Sequence, residues 1–127
     1  MEKNITVRLT ARLFAEEKCY GPGVEQLLKA VEKHRSLRAA AASMSMAYSK
    51  AWSIIRAAEQ GFGCKLLHST IGGSGGGGAE LTDEARQIMA AYETYCARLN
   101  EYGQALFGEL FPFCARENCR FVKHIGQ

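Results

Sequence analysis

The sequence predicts a mainly α-helical fold with a small β component, and three patterns carry that expectation. Apolar residues recur every three or four positions over residues 24–31, 47–58 and 85–106, the period of helices with one buried face. Two short stretches, residues 65–70 and 79–81, flank the run Gly72-Gly73-Ser74-Gly75-Gly76-Gly77-Gly78, which is the layout of a β-hairpin with a glycine tip. A chain of 127 residues that is 47% hydrophobic and 23% charged fits one compact domain with a tail or dimerisation helix attached, and excludes a disordered or fibrous protein.

Each element follows from local chemistry. Ile5-Thr6-Val7-Arg8-Leu9 alternates apolar and polar residues, and Leu13-Phe14 continues as a returning strand after Thr10-Ala11-Arg12, so a short β element is expected. Gly21-Pro22-Gly23 breaks the chain, and Val24, Leu27, Leu28 and Val31 then mark one face of a first helix that ends near His34. Ser36 is a good N-cap for a second helix, whose alanines at 39–42 permit close helix packing. After Ser43-Met44-Ser45 a third helix is expected from about Met46 to Gln60, stopped by Gly61 as its C-cap.

The hairpin comes next, and Thr82 then caps a long helix. Asp83 and Glu84 in its first turn complement the positive end of the helix dipole. Ala85, Ile88, Tyr92, Tyr95, Leu99, Tyr102 and Leu106 alternate three and four residues apart, the spacing of a coiled-coil seam. That stripe forms either a dimerisation face or a contact within the same domain, and Gly103 and Gly108 weaken its end.

Charge is uneven along the chain. The net charge is only +3, yet residues 33–79 hold Lys33, Arg35, Arg38, Lys50, Arg56 and Lys65 against the single acid Glu59, and the remainder is net acidic. In the third helix Ala47, Ala51, Ile54, Ile55 and Ala58 share one arc. Ser49, Ser53, Arg56 and Gln60 lie on the opposite arc, with Lys50 beside them. A face of hydroxyls, amides and cations without acids suits the major groove of DNA; the plainer alternative is a solvated amphipathic helix. Tyr48 and Trp52, four residues apart at the edge of that face, are either core-flanking aromatics or nucleic-acid contacts.

The glycine run admits three readings: a flexible tether, a phosphate cradle, or the tip of a wing beside a helix pair. Neither flank is large enough to be an independent domain, which disfavours the tether. The Lys-Ser/Thr of a nucleotide-binding loop is missing, and Ala79-Glu80-Leu81 follows instead, placing an acid where a phosphate would sit. The wing remains.

Other classes find less support. Residues 1–8 lack the apolar core of a signal peptide and no apolar run reaches membrane-span length, so a cytoplasmic protein without membrane partners is expected. Five cysteines, at 19, 64, 96, 114 and 119, fit reduced thiols. Cys114, Cys119 and His124 stand five apart and form a weak candidate for metal binding or redox response. That spacing is not a recognised zinc pattern, and a fourth ligand is missing unless Cys96 or a dimer mate supplies it, so no metal is expected. His34, His68 and His124 belong to no nucleophile–carboxylate constellation, so no catalysis is expected.

Ser36-Leu37-Arg38-Ala39-Ala40-Ala41, Met46-Ala47-Tyr48-Ser49-Lys50-Ala51-Trp52, Leu66-Leu67, and the glycine run closing on Ala79-Glu80-Leu81-Thr82 together resemble the amino-terminal domain of ModE-type molybdate-responsive transcription regulators. The likeness covers about Ile5 to Leu106. It extends more distantly to the winged helix-turn-helix of LysR-type regulators. The resemblance implies a winged helix-turn-helix fold with a long C-terminal dimerisation helix, a symmetric dimer and an operator with two half-sites. Relative to that family's usual wing, Ser74 stands in place of a lysine, Ser69 in place of an arginine and Ile71 in place of a threonine, so a weaker grip on DNA is expected. The family senses its oxyanion through domains after the long helix; this chain ends some twenty residues later, and no molybdate-binding domain, and hence no cofactor, is expected.

The expected organisation is therefore a winged helix-turn-helix over residues 1–81, a dimerisation helix over 82–110 and a cysteine-containing tail over 111–127. The expected function is sequence-specific binding of double-stranded DNA by a homodimeric transcription regulator. Arg38, Tyr48, Ser49, Lys50, Ser53, Arg56 and Lys65, with Gly72, Gly73, Ser74, Gly75 and Gly76 of the wing, are the expected DNA contacts. Ile88, Tyr92, Tyr95, Leu99, Tyr102 and Leu106 are the expected dimer contacts. The alternative is a protein-interaction module that uses the winged fold for assembly, with a metal- or redox-responsive tail.

Overall fold

The computed structural model describes residues 5–70 and 77–114. In chain order the elements are β1 (Leu13–Ala15), β2 (Glu17–Tyr20), α1 (Pro22–His34), α2 (Leu37–Ser43), α3 (Tyr48–Phe62), β3 (Leu67–Thr70), β4 (Gly78–Leu81) and α4 (Asp83–Leu110), followed by a single 3-10 turn at Pro112–Cys114. Each strand pair forms its own two-stranded antiparallel sheet. This is the helix-dominated winged helix-turn-helix that the sequence predicts.

The chain divides into two compact units, and α4 runs from one into the other. The larger is Thr10–Tyr92. Its core is built from the predicted apolar face of α1 (Val24, Leu27, Leu28 and Val31), from Ala40 and Ala41 of α2, from Ala51, Ile55 and Ala58 of α3, and from Leu66, Leu81 and Ala85. Alanines at the α2–α3 contact keep the two helix axes close. Tyr20, fully buried, packs edge-on against Phe62 at 5.8 Å and Tyr92 at 5.0 Å between ring centroids. Its hydroxyl donates to the buried carboxylate of Glu25 at 2.5 Å. Those contacts join β2, α1, α3 and the start of α4 through one aromatic side chain.

The two predicted N-caps form. Ser36 Oγ accepts from the Ala39 N–H at 3.0 Å, and Thr82 Oγ1 accepts from the Ala85 N–H at 3.0 Å. Thr82 also donates to the Lys65 carbonyl at 2.7 Å, so one hydroxyl both starts α4 and ties it to the strand entering the hairpin. Arg86 pairs with Glu32 at 2.7 Å, joining α4 to α1.

Three boundaries differ from the sequence reading. The third helix passes through Gly61 and ends at Phe62, with Gly63 in the left-handed conformation (φ 73°) as its cap. Gly61 is needed for space: a Cβ there would lie 2.6 Å from Cys19 Cβ and Sγ of β2. α3 begins at Tyr48 rather than Met46, because Ser45 takes a left-handed conformation (φ 53°) in the tight turn after α2. Finally, Ile5–Leu9 is not a strand; the β element is the later hairpin β1–β2.

Residues 7–9 are instead held by side chains of α4, in the second unit. Asn100 of α4 accepts from the Leu9 N–H and donates to the Leu9 carbonyl, both at 2.9 Å, and Gln104 donates to the Val7 carbonyl at 2.6 Å. The extended backbone is thus satisfied by side-chain amides where a neighbouring strand would otherwise serve. At the end of this unit Phe107 stacks on Phe111 at 4.8 Å, and Phe111 meets Phe113 edge-on at 5.8 Å. Cys114 is disulfide-bonded, which corrects the expectation of reduced thiols at that position; Cys19, Cys64 and Cys96 are free.

Candidate nucleic-acid interface

Helices α2 and α3 with their tight turn form a helix-turn-helix. Ala51 is completely buried against α2, and this fixes the rotation of α3. The opposite arc then faces outward: Ser49, Lys50, Ser53, Arg56 and Gln60 are all exposed, as is Tyr48 at the first turn. Arg38 on α2 is exposed beside them. Ala47 precedes α3 without a side-chain cap, and the first turn of α3 holds no acid, so its leading N–H groups keep their positive polarity.

Aromatic rings organise the cations of this face. The Arg38 guanidinium lies 4.1 Å from the centroid of the Tyr48 ring, and that of Arg56 lies 5.6 Å from the centroid of Trp52. Tyr48 and Trp52 meet edge-to-face at 6.4 Å. Of these two rings, whose spacing fits either core or interface, Tyr48 is exposed and Trp52 half-buried, and both are in contact with arginines.

The hairpin β3–β4 stands next to this face. Its register pairs Leu67 with Leu81, His68 with Glu80, Ser69 with Ala79 and Thr70 with Gly78. Leu67 and Leu81 turn inward and are buried, while the Ala79 N–H donates to the Arg35 carbonyl at the end of α1 at 3.0 Å. A Cβ on Gly78 would collide with Thr70 Oγ1 and come within 3.1 Å of the Arg35 carbonyl, so that glycine is required by close approach and not by an unusual φ. Between hairpin and helices opens a cleft of about 240 Å³ lined by Arg38, Tyr48 and Trp52 on one side and by His68, Ser69 and Gly77 on the other.

The two acids of this region are both held. Glu59 accepts from the Leu66 N–H at 2.9 Å, a bond that directs its carboxylate to the loop after α3. Glu80 faces His68 across the hairpin at 3.8 Å. Lys65, an expected contact, is exposed just before β3. Gly72, Gly73, Ser74, Gly75 and Gly76 lie outside the described residues, as do Cys119 and His124. His68 and the hydroxyl of Ser69 join the face through the hairpin register; the family resemblance already marks Ser69 as a wing position, whereas His68 has no sequence signal beyond its place in a short strand.

One expected dimer contact is corrected, and one weak metal-ligand candidate falls away. Tyr92, placed on the dimer stripe, is only 8% exposed and donates to the Ala11 carbonyl at 2.7 Å, so it belongs to the core of its own unit. Cys114 is disulfide-bonded, and a disulfide sulfur is not the thiolate that a metal requires. Among the described residues no three His, Cys, Asp or Glu side chains cluster as a metal site, and no helix is long and apolar enough to cross a membrane.

The family described as bacterial regulatory helix-turn-helix protein, lysR family, matches residues 26–86, which run from α1 through the hairpin into the first turn of α4. The chain is similar to the transcriptional regulator ModE of Haemophilus influenzae, with 29% identity over 89 residues that cover 70% of this chain and 33% of that protein. It is similar to the molybdenum transport protein ModE of Herbaspirillum seropedicae, with 29% identity over 101 residues, 80% of this chain and 34% of the relative. The molybdenum transport protein ModE of Azotobacter vinelandii shares 36% identity over 67 residues, 53% of this chain and 25% of the relative. The chain thus spans about a third or less of the length of these curated relatives. With α2, α3 and the adjoining hairpin in the arrangement described above, residues 26–86 match the LysR-type regulatory helix-turn-helix family, and the chain is similar to ModE regulators.

Proposed function

We propose that this protein is a cytoplasmic, homodimeric transcription regulator that binds double-stranded DNA at sequence-specific operators with two half-sites. The observation that carries the reading is the outward arc of α3, where Ser49, Lys50, Ser53 and Arg56 are exposed without an intervening acid. In this reading α3 enters the major groove, its hydroxyls address base edges, and Arg56 meets the phosphate backbone beside them. Arg38, Lys50 and Lys65 neutralise phosphates and set the register. The β3–β4 hairpin lies along an adjacent groove as a wing. The exposed part of the α4 stripe, Tyr95, Tyr102 and Leu106, with half-buried Leu99, meets the same stripe of a second copy. Names of the similar proteins support a role near molybdenum transport or its control, and the operators proposed here lie close to such genes.

Selection of bound fragments from genomic DNA, followed by equilibrium binding at several salt concentrations, tests the proposal. A preferred sequence is expected to emerge, with affinity falling steeply as salt rises. Lys50→Ala and Arg56→Ala are each expected to lower the affinity, and a variant that has lost a phosphate contact reduces the salt slope by about 1. Equal, salt-insensitive binding by all three proteins would rule out this interface.

A further inference from the structure

On the reading of α3 as the groove-facing helix rests a more specific assignment. Tyr48, Trp52 and Arg56 stand at i, i+4 and i+8 and so form one line along α3. Arg38 reaches that line from α2, giving the spatial order Arg38, Tyr48, Trp52, Arg56 with separations of 4.1, 6.4 and 5.6 Å. Among the described residues the ion pairs engage Lys29, His68 and Arg86, and the cation–ring contacts engage Arg38 and Arg56.

We propose that Tyr48 and Trp52 are positioning residues that hold the Arg38 and Arg56 guanidinium groups against their ring faces and present them, ordered in advance, to DNA phosphates. A carboxylate partner would order an arginine equally well but would cancel its charge. A ring face attracts the guanidinium plane and leaves the in-plane N–H donors, with the full positive charge, open to a phosphate oxygen. An arginine already ordered loses less side-chain freedom when DNA binds. Lys50, on the same helix but outside the line of rings, lacks such a platform.

The test is a pair of double-mutant cycles in binding of the selected duplex at one salt concentration. Tyr48 is exposed, so Tyr48→Leu leaves the core intact and carries the first cycle. It is expected to weaken binding about two- to fivefold, and this loss is expected to vanish in an Arg38→Ala background and to persist in a Lys50→Ala background. Tyr48→Phe keeps the ring and is expected to bind like the wild type. The second cycle pairs Trp52→Phe and Trp52→Leu with Arg56→Ala and is expected to show the same dependence, with Trp52→Phe the milder change.

A readout that needs no DNA accompanies them. In the free protein the Arg38 side-chain protons are expected to show an upfield ring-current shift in NMR spectra that Tyr48→Leu abolishes and Tyr48→Phe retains. Additive losses for Tyr48→Leu with Arg38→Ala, a Tyr48→Phe variant as weak as Tyr48→Leu, or the absence of the ring-current shift would each overturn the assignment while leaving the DNA interface standing. Failure of the wild type to bind any duplex would overturn the interface and this assignment together.

Discussion

Single residues in this molecule answer to two different rules, one local and one spatial. Ser36 and Thr82 cap their helices as their sequence context requires, because an N-cap hydroxyl needs only the N–H groups three residues ahead. Gly61 and Gly78 obey the spatial rule. Gly61 sits inside α3 because β2 crosses it, and Gly78 sits in β4 because Thr70 and the end of α1 leave no room for a Cβ. Gly78→Ala is therefore expected to destabilise the domain by about 1–2 kcal/mol in urea unfolding. Thr70→Ala is expected to recover part of that loss, since Thr70 Oγ1 is the atom displaced; no recovery in the double variant would place the cost elsewhere. Cys64 offers a second test at this scale. Desolvation, reinforced by the carboxylates of Glu84 and then Glu59, raises the pKa of its thiol above the ordinary value. The protonated thiol is thus favoured, and its alkylation by iodoacetamide, followed site by site with mass spectrometry, is expected to reach half-maximal rate at a higher pH than that of an unfolded cysteine. A midpoint at or below the unfolded one would contradict the assigned environment.

At the scale of elements, α3 shows how much a sequence pattern carries and where it stops. Its two arcs follow from 3.6-residue periodicity: Ala51, Ile55 and Ala58 are buried and Ser49, Ser53 and Arg56 exposed, although Ile54 is only half-buried and Ala47, expected on the inner arc, is exposed just ahead of the helix. Its ends do not follow, because one is set by the left-handed turn at Ser45 and the other by the cap at Gly63 after a glycine that packing requires. The cross-strand pair of His68 and Glu80 was equally out of reach, since register depends on the burial of Leu67 opposite Leu81. That pair makes a prediction for the wing. Glu80 is an exposed acid beside the proposed path of DNA, and Glu80→Gln removes a repulsion of the size usual for exposed charges. Affinity for the selected duplex is expected to rise about two- to fivefold at low salt, with a smaller gain at high salt. An unchanged affinity at both would place the hairpin away from the phosphates.

At the scale of the whole molecule, the long helix serves two environments, which a single stripe of apolar residues cannot reveal. Tyr92 closes the core of the larger unit with Tyr20, whereas Tyr95, Tyr102 and Leu106 are 57%, 71% and 53% exposed. The proposed dimer therefore depends on the later residues alone. Replacing Tyr102 and Leu106 together by lysine is expected to convert the protein to a monomer in sedimentation experiments while far-UV circular dichroism stays unchanged, because both side chains are exposed in the single chain. An unaltered sedimentation coefficient would remove this stripe from the interface. Helical periodicity, hydroxyl caps and the acid-free outer arc of α3 were legible in residue order because each is a relation between neighbours three or four positions apart. The contacts of Arg38 with Tyr48, the strand-like bonding of Leu9 to Asn100, the need for Gly61 and Gly78, and the division of the α4 stripe were decided only by folding. Each joins residues that chain order separates, and packing alone brings them together.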